Sequence, residues 1–286
     1  MQLSVVIISR NEGPWLRRTF ESLQPTVPAD TEVIVVDDGS TDSSAAGLHR
    51  MGIRLLRTRG IGVARARNYG GRRASGDVLI FLDGHMQFAP GWWEPLVDVL
   101  HRRAAGSAAP AIADVASPHD FGYGFSLPHP TLKPQWLSRA ASRPFHAPVL
   151  PGACLAIPRT VFHAVGGFDH GLRARGGVDI ETSLRLWLLG YENWIVPSSR
   201  VWHLFRKAAP YPVPQADAVY NRLRLAFSHL RGSRIAKVIA AHAGEPALPH
   251  ALRLLLRSDA VARRRELFRA RTRNDNWFFR KFGIVW

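Results

Sequence analysis

The chain has 286 residues, 46% hydrophobic and 21% charged, a balance that excludes a disordered segment and suffices for one large core or two modest ones. Its formal net charge of +16 permits an anionic partner (nucleic acid, an anionic membrane face, or a polyanionic ligand such as a nucleotide diphosphate) and equally suits a solvated basic face. A single cysteine, Cys154, excludes an intrachain disulfide and a cysteine-built zinc site, and no run approaches the ~18 consecutive apolar residues of a membrane span.

The first hundred residues alternate strand and helix. Leu3–Ile8 is a continuous apolar run, expected of a strand covered on both faces rather than of a signal peptide, and a cytoplasmic location is the corresponding expectation. A helix follows over Pro14–Leu23, with Trp15, Leu16, Phe20 and Leu23 on one side. Glu32–Val36 predicts a second strand ending on Asp37-Asp38-Gly39-Ser40, after which Asp42 or Ser43 caps a helix running to Arg50. A third strand is predicted at Ile53–Leu56, a helix at Gly62–Ala74, and a fourth strand at Val78–Leu82, stopping at Asp83-Gly84-His85. This alternation implies an α/β, doubly wound, mostly parallel sheet, in which ligands bind at the carboxyl ends of the strands.

Gly106–Pro151 has no sustained period and reads as long loops with short strands. Beyond it, a strand is expected at Val149–Ile157, a helix from Arg159, a helix at Asp179–Leu189, and strands at Trp194–Pro197 and Arg200–Leu204. After a linker-like stretch, Lys207–Pro214, helices are expected at Ala216–Leu230, Ala247–Arg257 and Asp259–Arg271. The organisation predicted is an α/β domain over 1–206, with the strand–helix alternation in 1–105 and the less regular part in 106–206, followed by a basic helical extension over 207–286.

Asp83-Gly84-His85 is the sharpest chemical signal. Residues i and i+2 of an extended backbone point to one side, so a carboxylate and an imidazole can share one divalent ion that also takes phosphate oxygens; the alternative is a turn with a surface Asp and an unrelated His. Asp37-Asp38-Gly39-Ser40 suits contact with a base or ribose, or equally a capping turn. Ser9-Arg10-Asn11-Glu12 ends the first strand on the same side, and Arg65, Arg67 and Asn68 lie on a helix expected to face the crevice. Asp179 and Glu181 begin a helix, where the macrodipole favours carboxylates and where an acid beside a donor can also deprotonate an acceptor hydroxyl. His203 taken alone reads as a core histidine as readily as a ligand.

Ser4–Ile8, Asn11-Glu12, Val33–Asp42, Ala64-Arg65-Ala66-Arg67-Asn68-Tyr69-Gly70 and Phe81-Leu82-Asp83 resemble the corresponding segments of family 2 glycosyltransferases, which have the GT-A fold. Phe81-Leu82-Asp83-Gly84-His85 with Gly91-Trp92-Trp93-Glu94-Pro95-Leu96, and Gly166-Gly167-Phe168-Asp169 through Val196–Arg206, are similar to the catalytic domain of polypeptide N-acetylgalactosaminyltransferases. The resemblance implies a metal-dependent glycosyltransferase using a UDP-sugar, with Mn2+ (or Mg2+) on Asp83, His85 and His203. It implies nucleotide and donor contacts at Ser9, Asn11, Glu12, Asp38, Arg65, Asp83, Gly152, Ala153 and Glu181.

The chain departs from the N-acetylgalactosaminyl pattern Trp-Gly-Gly-Glu-Asn-x-Glu at Arg175-Gly176-Gly177-Val178-Asp179-Ile180-Glu181, where Val178 replaces the first Glu. Asp179 coincides instead with the catalytic base of inverting family 2 enzymes, so inversion with Asp179 as base is the expectation. The alternatives are a retaining N-acetylgalactosaminyltransferase-like enzyme and an inactive module that binds nucleotide or glycan. The expected partners are a nucleotide sugar and a glycan, peptide or natural-product acceptor, not nucleic acid. The C-terminal helices, where arginines interleave with Leu252, Leu254, Leu255, Leu256, Val261, Leu267 and Phe268, suit packing on the catalytic domain, a peripheral contact at the inner membrane face, or a homodimer.

Overall fold

The computed structural model describes residues 1–102, 105–137 and 141–286. In its first half, β1 (Leu3–Ser9), α1 (Trp15–Leu23), β2 (Glu32–Asp38), β3 (Arg54–Thr58), α2 (Val63–Gly71), β4 (Val78–Asp83), β5 (Met86–Phe88) and α3 (Glu94–Arg102) follow one another. The middle contributes β6 (Ser107–Asp114), β7 (Ser117–Gly122), β8 (Phe125–Ser126), β9 (Gln135–Trp136), β10 (Phe145–His146), β11 (Cys154–Pro158), α4 (Arg159–Ala164), α5 (Val178–Leu188) and β12 (Asn193–His203). Five helices complete the described chain: α6 (Gln215–His229), α7 (Gly232–Ala241), α8 (Leu248–Leu256), α9 (Ala260–Ala270) and α10 (Asp275–Lys281).

The main sheet runs β10-β12-β6-β11-β4-β1-β2-β3, with β5 on β12 and β7 on β6. Strands β4, β1, β2 and β3 are mutually parallel, β12 is parallel to β6, and β11 lies antiparallel between β4 and β6. The apolar runs divide by the two-residue period of a strand. Val5 and Ile7 of β1, Val35 of β2 and Ile80 and Leu82 of β4 pack with Leu16 and Phe20 of α1. Val6, Ile34, Val36, Leu79 and Phe81 face the opposite core, with Ala64 and Ala66 of α2. Both faces of the sheet are thereby covered, as the unbroken hydrophobicity of the strands requires.

Helix α2 approaches this sheet closely because its last two residues, Gly70 and Gly71, have no side chains to interpose. A Cβ on Gly70 would lie 2.5 Å from Val6 Cγ1, and one on Gly71 would meet Phe162 and Phe81. The C-terminal helices build a third core around the buried face of α5, where Ile180, Leu184 and Trp187 pack with Leu223, Val238, Ala251 and Phe278.

Several predicted elements differ. No α-helix spans 43–50: the Asp42 carboxylate is occupied by Ser44 and the Gly13 N–H, Gly47 is left-handed, and only a short 3-10 turn forms at Leu48–Met51. Gly106–Pro151 contains the eight-residue β6 in the sheet interior, although residues 138–140 lie outside the described residues. The two strands expected at 194–204 are one, β12, whose pairing with β6 shifts register between Val196 and Arg200. Helices α3, α7 and α10 are additional to the predicted set.

Candidate active site and metal centre

The strand ends converge on a cleft of about 270 Å³. Ser9, Arg10 and Glu12 reach it from the end of β1, Asp38 from β2, Asp83 and His85 from β4 and the turn after it, and His203 from the end of β12. Gly152 and Ala153 enter beside Asp83, because β11 runs antiparallel to β4 and the Asp83 N–H donates to Ala153 O at 3.0 Å.

Asp83, His85 and His203 each offer a ligand atom, all within 4.8 Å of one another. The residues fit a divalent metal. His203 is buried and neither of its ring nitrogens makes a well-directed hydrogen bond, although Nε2 lies 3.4 Å from Asp83 Oδ2. His85 Nδ1 is 3.0 Å from Glu12 Oε2, and that carboxylate oxygen also accepts from Arg206 Nη2 at 2.6 Å. An imidazole bound to a carboxylate through one nitrogen presents the other to a metal in a fixed orientation.

Arg67 of α2, almost wholly buried, donates to Asp83 Oδ1 at 3.0 Å and to Gly152 O at 2.6 Å. Burial would raise the Asp83 carboxyl, but the His203 contact and the charges of Arg67 and His85 outweigh it and hold the group well below the usual carboxylate range. Asp83 is therefore ionised wherever a metal would bind. Asp179, the second residue of α5, also lines the cleft, and there burial wins: its carboxyl is pushed up despite the Ile180 N–H and the Arg67 charge.

Of the predicted site residues, Ser9, Glu12, Asp38, Asp83, His85, Gly152, Ala153, Asp179 and His203 come together at the cleft. Asp38 is largely committed within it, since its carboxylate accepts from Thr58 Oγ1, Ile61 N and Gly62 N at 2.6–2.8 Å. Three other predicted residues lie outside the cleft lining. Asn11 braces the loops: its Oδ1 accepts from Thr41 N at 2.8 Å and its Nδ2 donates to Pro210 O. Arg65 is exposed and donates to His170 O, whereas Arg67, two positions on and so across the helix, faces the cleft. Glu181 is fully buried away from the cleft, bound by Arg185, Arg263 and His229.

Three further lining residues, Arg175, Arg206 and Tyr211, are not assigned to the cleft from the sequence. Arg10 was visible in its motif, at the end of an apolar strand. Its guanidinium stacks over Tyr211 at 4.7 Å, which draws the proline-rich 207–214 stretch onto the end of β1.

Residues 4–166 match the profile of "Glycosyl transferase family 2". The chain belongs to glycosyl transferase family 2. Among curated relatives of this family 2 chain, it is 32% identical to human polypeptide N-acetylgalactosaminyltransferase 15, over 77% of this chain and 39% of that protein. It is 35% identical to polypeptide N-acetylgalactosaminyltransferase 8 of Drosophila melanogaster, over 71% and 38%. The chain thus spans about two fifths of the length of these relatives.

Two solved structures share the fold. One is a crystal structure of GalNAc-T7 with UDP, GalNAc and Mn2+, at a TM-score of 0.81 and 22% identity, covering 99% of this chain and 56% of that one. The other is the mannosyltransferase PcManGT of Pyrobaculum calidifontis in complex with GDP-Man and Mn2+, at 0.58 and 18%, covering 94% and 85%. The family 2 chain has the GT-A fold expected of it, and the likeness to the first structure takes in the C-terminal helices.

Proposed function

We propose that this chain transfers an N-acetylhexosamine or hexose from a uridine diphosphate donor to a hydroxyl on a peptide or glycan, with Mn2+ held by Asp83, His85 and His203. The observation that carries the reading is that triad, at the carboxyl ends of family 2 strands and inside one cleft. When bound, the metal supplies Lewis-acid stabilisation of the departing diphosphate. Arg67 keeps Asp83 turned to the metal, Glu12 fixes the His85 ring, and Arg10, Arg175 and Arg206 add positive charge where the diphosphate would lie. Phe205, 44% exposed, reaches from the cleft towards Trp136, whose ring is 6.2 Å away; the pair offers an apolar face to an acceptor beside the metal.

The likeness to polypeptide N-acetylgalactosaminyltransferases supports the retaining course that the sequence resemblance holds as its alternative. Inversion is the second reading, and it has an observation of its own. Asp179 lies in the cleft with a carboxyl raised by burial, which brings it closer to the basicity a general base needs. Asp179→Asn separates the two, together with the anomeric configuration of the first-formed product read by proton NMR. An inverted product and a loss of about 10²–10⁴-fold in the variant establish the base; a retained product removes that role.

The transferase reading itself is tested by melting the protein with a panel of nucleotide sugars, with and without Mn2+. A donor binding only the native state raises the midpoint. If no nucleotide diphosphate shifts the protein with Mn2+ present, the proposal fails.

A further inference from the structure

The Asp169–Gly177 loop forms one wall of the cleft, through Arg175 and Gly176, and delivers the chain to Val178 and Asp179 at the start of α5. Its backbone is strained. Ala174 is left-handed at φ +44°, Gly176 and Gly177 follow at +96° and +77°, and Gly177 begins α5 with no side-chain cap. Such a loop needs partners for its polar groups from outside itself.

Most of those partners come from one face of α6, a helix of the C-terminal extension. Asn221, 1% exposed, accepts from the Arg173 N–H at 2.8 Å. Its Nδ2 donates to the carbonyls of Arg173 at 2.8 Å, Gly176 at 3.0 Å and Arg175 at 3.3 Å, so two amide hydrogens serve three acceptors. Asp217, one turn earlier, binds Arg173 Nε at 2.6 Å, and Arg224, one turn later, binds both oxygens of Asp169 at 2.8 Å. The spacing 217, 221, 224 puts all three on one helical stripe.

We propose that Asn221 is a positioning residue for the cleft: it sets the 173–177 backbone and thereby places Arg175, Gly176 and Asp179 against the donor. The inference rests on the donor reading above for its consequence, but not for its geometry. It makes the C-terminal helices part of the site without any of them touching substrate.

The test uses the full chain and trypsin, which has two cleavable bonds inside the loop, after Arg173 and after Arg175. Asn221→Ala is compared with Val238→Ala, which thins the same helical core without contacting the loop. Well below the melting point of each protein, cleavage at the two loop bonds is expected to rise about tenfold in Asn221→Ala and to stay at the wild-type rate in Val238→Ala. Asn221→Asp keeps an acceptor for the Arg173 N–H but has no hydrogens for the three carbonyls, so it is expected to open the loop as alanine does. Asn221→Gln displaces the same amide by one methylene and stands in if the alanine variant does not fold.

Mn2+-dependent donor hydrolysis should then lose about tenfold or more in kcat/KM in the Asn221 variants. Mn2+ affinity should stay unchanged, because the triad sits on other elements. Equal loop cleavage in Val238→Ala and Asn221→Ala overturns the proposal, as does an opened loop with wild-type turnover. If even the wild type binds no nucleotide sugar, the donor reading falls, while the cleavage pattern still decides whether Asn221 holds the loop.

Discussion

Glu12 shows how the cleft resolves its charges one residue at a time. It is buried, and a buried carboxylate is tolerable only when paired; Arg206 at 2.6 Å and His85 at 3.0 Å provide that pairing. The consequence for function is orientation of the His85 ring. Asp83→Asn, which removes the only anionic member of the triad, is expected to abolish Mn2+ binding. Glu12→Gln keeps every ligand and is expected to weaken it about 10–100-fold. Electron paramagnetic resonance titration of Mn2+ measures both, and wild-type affinity in Glu12→Gln would detach that residue from the metal centre.

Asp83, His85 and His203 are legible in the sequence, and so are Arg65 and Arg67 as a pair, but the resemblance assigns the nucleotide contact to Arg65 whereas Arg67 is the one that lines the cleft. Two arginines two positions apart point to different sides of a helix, and choosing between them requires its phase. The phase was written in the small residues: Ala64, Ala66, Gly70 and Gly71 are buried against the sheet. Those residues fix which side of α2 is inward, whereas the arginines themselves do not.

At the scale of elements, the strands that read clearly are those covered on both faces, because their runs of Val, Ile and Leu are unbroken. Strand β6 escaped because Ser-Ala-Ala-Pro-Ala-Ile-Ala-Asp has small side chains and a proline, little of the β-branched signal on which a strand prediction depends. Its interior place is decided by neighbours, β12 and β11, that arrive more than forty residues later. The burial of Glu181 away from the cleft is illegible for a similar reason: the partners that claim it, Arg263 and His229, belong to helices distant in sequence.

That buried group carries a pH prediction. Burial lowers the His229 pKa below that of the free side chain, with the Arg263 and Arg185 charges adding to it and Glu181 opposing. Below about pH 6.5 the unfolded chain therefore takes up a proton that the native state refuses, so this stabilisation is present above that value and is lost as pH falls. Glu181 is held well below its ordinary value, after burial is outweighed by Arg185 and Arg263, so its own loss begins only under about pH 4.5. Urea denaturation at pH 7, 6 and 5 should show stability declining, and His229→Asn should flatten that decline. An equal slope in the variant would place the pH dependence elsewhere.

For the whole molecule, the question is whether residues 1–206 form a separable unit. The third core bears on it through α5, whose Ile180, Leu184, Trp187 and Leu188 share one cluster with Leu127, Leu132 and Val149 and with eleven buried residues of the C-terminal helices and the segments joining and following them. Charge adds to the same conclusion. Asp169 and Glu181 are fully buried, and the cations that pair with them include Arg224 and Arg263 of α6 and α9. Part of the basic character of the C-terminal region is thus internal. Removing residues 207–286 would strand one buried carboxylate without its pairing arginines, at a cost of about 3–5 kcal/mol. It would also expose four large apolar side chains, each worth about 1.5–3 kcal/mol. Together these match the ~5–15 kcal/mol that holds a typical domain folded. A 1–206 fragment is therefore expected to lack a cooperative thermal transition by circular dichroism and near-ultraviolet signal from its tryptophans. A fragment that melts cooperatively within a few degrees of the full chain would show that α5 finds its place without the helices that cover it.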